Sequence, residues 1–526
     1  MKKSIWLEPR AIVSYALSLL ALAEMVDISI VSVAIPQMMS SLNTNLDNIA
    51  MVSTGYIVAA AIFTPLTGIA VRKFSMRALV LVTSGVFCIA SVLCGLAQTL
   101  PEMVFFRIIQ GIGGAFLPSI AQAYVEKTFS GTPLAKPMLT IFGGIIVLGP
   151  ILGSVLGGFL TAELNWRFIF FVNVPVCMAG FVLVVLFMER DEPQKVKVAY
   201  TSFALMALGV GALEYFIDQG NSHGWFSSMT MLIIFTISMV SLFFFVWLGC
   251  LGSAVINFGL FNLRHSNFLL NIFVVFAISV IGTAGTAYYP TMLQQIYNYP
   301  VDTAGYITSP RGVIVILTAP IAALLSNIIG SRETMLIGFL IFASGSIMIG
   351  HSSPVPSFEQ IIVSTVLQGI GMMGIFIPLL QLCNVGITPS EREDASGIFN
   401  FFRTFGVCIG NSASATSVSY QFNVCYHDLA AKVSPYANGY GWWVQNLVGI
   451  PDDMKIAVAN MQVLVQSALL SYLDIFYSTG IIILCLFWLP FVLQPPEEEQ
   501  NSLVMMSKSL CYAGYLKLIS LKKIRG

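Results

Sequence analysis

Apolar runs of about twenty residues follow one another along the chain, separated by short polar stretches that hold nearly all of the charge. A helix of about 20 residues spans the hydrocarbon of a bilayer. Six runs lie near 11–36, 49–71, 78–100, 103–125, 137–161 and 168–188, and two near 200–218 and 228–250. Six more lie near 267–290, 304–326, 334–351, 358–382, 396–420 and 472–494. Lipid offers no partner for backbone polar groups, so each run reads as a helix. The expected fold class is an all-α polytopic membrane protein with fourteen transmembrane helices.

Composition sharpens this. Of the 526 residues, 57% are hydrophobic and 10% charged, against about a quarter charged in soluble domains; mean hydropathy is +0.85. A water-facing surface cannot be built from so little charge. Lys plus Arg and Asp plus Glu both number 25, and no basic stripe outside short loops suits nucleic acid. The nine Cys are scattered, as Cys88, Cys94 and Cys177 illustrate, without CxxC or metal spacing. No metal or cofactor is expected, and the glycine-rich GIGGAF lies inside an apolar run, with no strand before it to make a phosphate cradle. The first run is too long for a signal peptide and holds Glu24 and Asp27, so it reads as a retained helix.

Loop charge sets the expected orientation. With the N-terminus inside, cytoplasmic segments carry Lys2, Lys3, Arg10, Arg72, Lys73, Arg77, Lys127, Lys136, Arg190, Lys195, Lys197, Arg264, Arg332 and Arg392. The tail adds Lys508, Lys517, Lys522, Lys523 and Arg525, while external loops keep Lys432 and Lys455. This positive-inside pattern puts both termini in the cytoplasm. One external loop is long, 421–471, and includes Tyr436, Gly439, Gly441, Trp442 and Trp443.

The chain also repeats itself. TPLTGIAVRKFSMR from Thr64 aligns with APIAALLSNIIGSR from Ala319 at a constant spacing of 255, and the QGIG at Gln110–Gly113 recurs at Gln368–Gly371. Two parallel six-helix halves, with a substrate site near the midplane between them, is an architecture of secondary transporters. The expected division is an N-terminal bundle 1–190, a two-helix insert 191–265, a C-terminal bundle 266–495 and a cytoplasmic tail 496–526.

Candidate chemistry lies in charges inside apolar runs, which are costly and functional by default. Asp27 sits mid-span, with Glu24 one turn before it on the same face. Two close carboxylates resist joint ionisation. Arg107, in the fourth run, is the candidate partner of Asp27; the pair suits proton coupling or a permanent structural bridge. Arg403 and Arg311 could each hold an anionic group of a substrate or pair with a carboxylate. Glu214 and Asp218, four apart in the insert, read as structural, and Asp474 as interfacial. Gly149, Gly153 and Gly157 with Pro150 form a small-residue face against which a helix can pack closely. Phe142, Phe376, Phe401, Phe402 and Phe405 would suit an aromatic cavity, although most membrane Phe serve packing.

Five stretches carry a family resemblance: MVDISIVSVAIP (Met25–Pro36), RIIQGIGGAFLP (Arg107–Pro118), LGPILGSVLGG (Leu148–Gly158), NWRFIFFVNVP (Asn165–Pro175) and LEYFIDQGNSHGWF (Leu213–Phe226). In this order the chain resembles the fourteen-helix drug:proton antiporters of the major facilitator superfamily, the EmrB/QacA type and its EmrB-like branch. The resemblance implies a bacterial inner-membrane exporter of small amphipathic molecules in exchange for protons, not an enzyme. It implies Asp27 as proton carrier with Glu24 and Arg107, and Gly149, Pro150, Gly153 and Gly157 as the antiporter motif. It also implies lipid-embedded function and, as candidate partners, a periplasmic adaptor and an outer-membrane channel. The family's gating loop, G-x-x-x-D-[RK]-x-G-[RK]-[RK], is altered here: Gly68, Lys73 and Arg77 remain, but Arg72 replaces the Asp and Ser75 the Gly, and Asn327 stands where the second copy commonly has an acid. Glu126 or Glu189 are candidate substitutes for the lost acid. Two other readings stay open: export of an endogenous metabolite such as a siderophore or fatty acid, and a transport-deficient scaffold or sensor.

Overall fold

A computed structural model describes residues 8–44, 46–196, 198–252, 254–262, 265–353, 357–383, 385–433 and 451–493. The first crossing is α1 (Pro9–Ser41). The second joins α2 (Leu46–Phe63) through a 3-10 turn to α3 (Thr67–Phe74). Then come α4 (Met76–Leu96), the pair α5 (Leu100–Gly114) and α6 (Leu117–Phe129), α7 (Ala135–Glu163), and the pair α8 (Phe168–Phe171) and α9 (Asn173–Phe187). The insert is α10 (Tyr200–Gln219) and α11 (Met229–Cys250). The second set comprises α12 (Ser266–Thr283), α13 (Tyr289–Gln295), α14 (Val301–Thr308), α15 (Pro310–Ile328), α16 (Ser331–Gly350) and α17 (Phe358–Leu382). It ends with α18 (Arg392–Lys432), α19 (Asp452–Cys485) and the short α20 (Leu489–Val492).

Among the described residues, thirteen segments are long and apolar enough to cross a membrane. The fourteenth long helix, α18, packs on α12 and α19; Asn400, Arg403, Thr404, Asn411 and Ser412 make it too polar to qualify by composition. A belt of exposed apolar side chains, among them Val82, Ile89, Leu186, Phe243 and Leu324, is what a lipid-facing surface requires.

The polar stretch 421–471 is not one long loop. α18 continues to Lys432 and α19 begins at Asp452, and the Tyr426 hydroxyl donates to Asn460 Oδ1 at 2.9 Å between them. The segments next to Lys432 and Asp452 lack Gly and Pro inside, so they keep their helical preference, and the second belongs to the apolar segment Met454–Val492. Tyr436, Gly439, Gly441, Trp442 and Trp443 lie outside the described residues, as do Lys2, Lys3, Lys197, Arg264 and the tail 496–526.

The helix ends at the altered loop have local causes. Ser75, between α3 and α4, has φ 69° and ψ 149°, a backbone region that is essentially glycine's. Its counterpart in the second copy is Gly330, at φ 107°. Ser75 partly compensates by capping Ala78 N at 3.3 Å, and Asp191 accepts from Met76 N at 2.6 Å.

Candidate functional site

Asp27 is fully buried on α1, and three side chains donate to it. Arg107 of α5 gives an ion pair to Oδ2; Gln110 of α5 donates to Oδ1 at 2.9 Å and Asn173 of α9 at 2.7 Å. These are the surroundings of a carboxylate rather than of a carboxylic acid. Arg107 is as buried as its partner: Nη1 also donates to Gln110 Oε1 at 2.8 Å, Nε donates to Val52 O at 3.2 Å, and its guanidinium lies 4.2 Å from the centre of the Tyr56 ring. Gln110 in turn donates to Ser91 at 2.9 Å. The expected pairing of Asp27 with Arg107 is present, and Gln110, Asn173 and Tyr56 complete its surroundings. An amide in the middle of an apolar run, as Asn173 is, was the signal available.

Glu24 lies one turn away and is also buried, but its Oε2 has no hydrogen-bond partner, and neither has the Tyr56 hydroxyl. The two groups meet over Gly114 of α5, where an added Cβ would lie 2.7 Å from the Tyr56 hydroxyl and 3.0 Å from Glu24 Cγ. Across from them Arg403 of α18 is buried. It donates to Met25 Sδ at 3.3 Å, Asn400 Oδ1 at 3.3 Å and Thr404 Oγ1 at 3.4 Å, without an ion pair to Glu24. Glu24 therefore faces the seam between the first and second sets of helices.

The antiporter-motif glycines press α7 onto this same stretch of α1. A Cβ on Gly149 would lie 2.3 Å from Met25 Cβ; on Gly153, 2.6 Å from Val26 O; on Gly157, 2.9 Å from Ile30 O. Pro150 sits inside α7 between the first two. The helix bearing both carboxylates thus has little freedom relative to α7.

At one end of the bundle the two sets are tied together. Arg72 pairs with Asp394 at the start of α18 at 2.9 Å, and Lys127 with Glu393 at 2.7 Å. Arg392 donates to Glu126 O at 2.9 Å and Lys136 to Asn327 Oδ1 at 2.6 Å. Gly68 is where Asp394 rests, since an added Cβ there would collide with its carboxylate. Further in, Asn400 donates to Gln122 at 2.7 Å. The acid missing at position 72 is therefore supplied from the opposite side by Asp394, not by Glu126 or Glu189: the polarity of the contact is inverted. Lys73 instead reaches Tyr200 at 3.5 Å, and Arg77 donates to Val185 O at 2.8 Å.

The insert is wedged against both sets. Asp218 accepts from Thr54 of α2 and from Gln219 at 3.0 Å, while Ser412 of α18 donates to Ile217 O. Glu214 is fully buried with neither carboxylate oxygen paired. Arg311, at the start of α15, is buried with Gly285 and Gly369 as neighbours, whereas Arg403 has Met25, Asn400 and Thr404, so the two candidates share none of these contacts. Among the described residues no group of three metal-ligating side chains occurs.

A family model described as Major Facilitator Superfamily matches residues 17–410. The chain is 28% identical over 499 residues to Multidrug export protein EmrB of Haemophilus influenzae, covering 93% of this chain and 97% of that one. It is 27% identical over 493 residues to Multidrug export protein EmrB of Escherichia coli strain K12, covering 92% and 95%. The structure of the proton:xylose symporter XylE bound to 6-bromo-6-deoxy-D-glucose superposes with a TM-score of 0.56 at 14% identity, covering 92% of this chain and 96% of that chain, a likeness of fold.

Proposed function

Because the chain belongs to the Major Facilitator Superfamily, a family of multi-span membrane transporters rather than enzymes, we propose that it exports small amphipathic molecules, drugs included, in exchange for protons. The names of its relatives support efflux, and its apolar helices accord with the bacterial inner membrane. The observation that carries proton coupling is Glu24. It is a buried carboxylate with an unpaired oxygen, one turn from an Asp27 whose hydrogen bonds are met. A buried unpaired carboxylate is relieved by taking up a proton. Glu24 is thus the proton carrier, and Asp27 with Arg107 is the fixed charge pair that anchors α1 beside it. A cationic substrate, or the approach of Arg403 as the two sets rock, would favour release of that proton.

The basic loops are cytoplasmic in this reading, so Arg72–Asp394 and Lys127–Glu393 close the cytoplasmic side. This speaks for a working gate over a transport-deficient scaffold, because the altered loop still finds an opposite charge. The paired ends of α18 and α19 project on the other side, where they would meet a periplasmic adaptor leading to an outer-membrane channel.

The test is proton release from inside-out vesicles challenged with amphipathic cations and anions. Wild type is expected to release protons on substrate addition and Glu24→Gln to bind substrate without release. Equal release from both proteins refutes the assignment.

A further inference from the structure

The repeat makes a comparison between the two halves possible, and the second half lacks one charge. Position 56 aligns with position 311, and position 107 with 365. The first half therefore has Tyr56 and Arg107 where the second has Arg311 and Thr365: the arginine has moved from one helix to its neighbour. The glutamines correspond in structure as well as in sequence. Gln110 donates to Ser91 at 2.9 Å, and Gln368 to Ser346 at 3.0 Å. In the first half this arginine and glutamine hold the carboxylate of Asp27. In the second half the residue at their meeting point is Gly285: a Cβ built on it would lie 2.7 Å from Gln368 Oε1 and 2.9 Å from Arg311 Nη1.

Among the described residues no acid pairs with Arg311. Arg311 is 4% exposed, its Nε has no hydrogen-bond partner, and it forms no ion pair among the described residues. Gln368 Oε1 is likewise unpartnered. A buried cation without a counter-ion is too costly to keep for packing alone. Gly285 lies in a π-helical turn, Ala284–Tyr288, a backbone form that is rare and often found at functional sites. The space in front of Arg311 is a cavity of about 20 Å3, edged by Tyr289, Thr308 and Thr365 and closed from the other set of helices by Ser154 of α7. It admits little more than a water while the sets are together, and it opens only if α7 draws back from α15.

We propose that this chamber is a carboxylate-binding site: an amphipathic carboxylate places its head group between Arg311 and Gly285, as Asp27 places its own against Arg107. Arg311 gives the charge-assisted donors, and Tyr289, Thr308 and Thr365 line the same chamber. The glycine leaves room for an incoming acid. Because Ser154 lies on the antiporter-motif helix, the site is alternately exposed and sealed by the motion that carries cargo. This deepens the export reading by naming a substrate class, and rests on it for the direction of movement but not for binding.

The test is equilibrium binding of radiolabelled decanoate, with decylamine and decanol as matched controls. It uses the purified full chain in phosphatidylcholine nanodiscs, with proton-coupled export measured separately in vesicles. Wild type is expected to bind decanoate at least tenfold more tightly than decanol. Arg311→Gln is expected to lose that preference. Gly285→Asp supplies a tethered carboxylate; it is expected to abolish decanoate binding, keep decylamine binding and raise thermal stability. Decanoate binding unchanged in both variants overturns the proposal, as does no preference over decanol in wild type, whether or not decylamine is exported. Arg311-dependent binding without proton-coupled export sustains this site and removes the antiport reading instead. If Arg311→Gln fails to fold, Gly285→Asp decides alone.

Discussion

Replacing Asp27 by Asn should damage the fold before it damages coupling. The side chain is fully buried and accepts from Arg107, from Gln110 at 2.9 Å and from Asn173 at 2.7 Å. Asn keeps the shape but removes the charge that offsets Arg107, and it turns one acceptor into a donor that faces donors. Breaking one member of a buried pair costs about 3–5 kcal/mol, because the other charge is left uncompensated. At about 1.4 kcal/mol per tenfold, that is roughly 10²–10⁴ in the folding equilibrium. Scanning fluorimetry and size exclusion in mild detergent would show a lower unfolding temperature and aggregation. The double variant Asp27→Asn/Arg107→Gln should recover much of the loss, since no lone charge remains; it still forfeits the ring contact with Tyr56, worth roughly 0.5–2 kcal/mol. Glu24→Gln should be as stable as wild type, having no ion pair to lose. An Asp27→Asn protein with wild-type stability, or no recovery in the double variant, would refute the view of Asp27 as the anchored member.

Other outcomes follow from the same geometry. Arg72→Asp sets like charges against Asp394, and Arg72→Asp/Asp394→Arg restores the pair. The single change should raise labelling of an engineered cysteine from the basic-loop side and the double change reverse it, over a range of roughly 1–3 kcal/mol, reduced because Arg72 is 25% exposed. Gly153→Ala should abolish export or folding, because its Cβ would lie 2.6 Å from Val26 O, whereas Gly85→Ala meets nothing within 4 Å and should stabilise by about 0.5–1 kcal/mol. Ser75→Gly should raise stability by about 1 kcal/mol in thermal unfolding, relieving its positive φ while losing only a weak cap.

The altered gating loop shows why one segment cannot be judged by itself. Arg72 and Asn327 look like losses when read against a motif, yet each meets a partner from the other set of helices, Asp394 and Lys136. Those partners lie 322 and 191 residues away. The outer ends of α18 and α19 make a related point: about three turns of α18, up to Lys432, and about five of α19, from Asp452, lie beyond the expected spans.

What the chain determines by itself is nearly all of its architecture. Lipid leaves backbone groups no choice but the helix, so runs of apolar residues translate directly into crossings, and the repeat spacing orders them into two sets. It also marks the costly residues, since Glu24, Asp27, Arg107, Arg311 and Arg403 stand out in any apolar run. What they do was decided only by tertiary structure. Glu24 and Asp27 are the same chemistry one turn apart; one is surrounded by three donors from α5 and α9, and the other keeps a free oxygen at the seam. Arg107 and Arg311 are alike in burial, but one has its acid and the other faces a glycine. Charge in a low-dielectric interior takes its meaning from what lies within a few ångströms, and in a bundle those neighbours come from helices far apart in the chain.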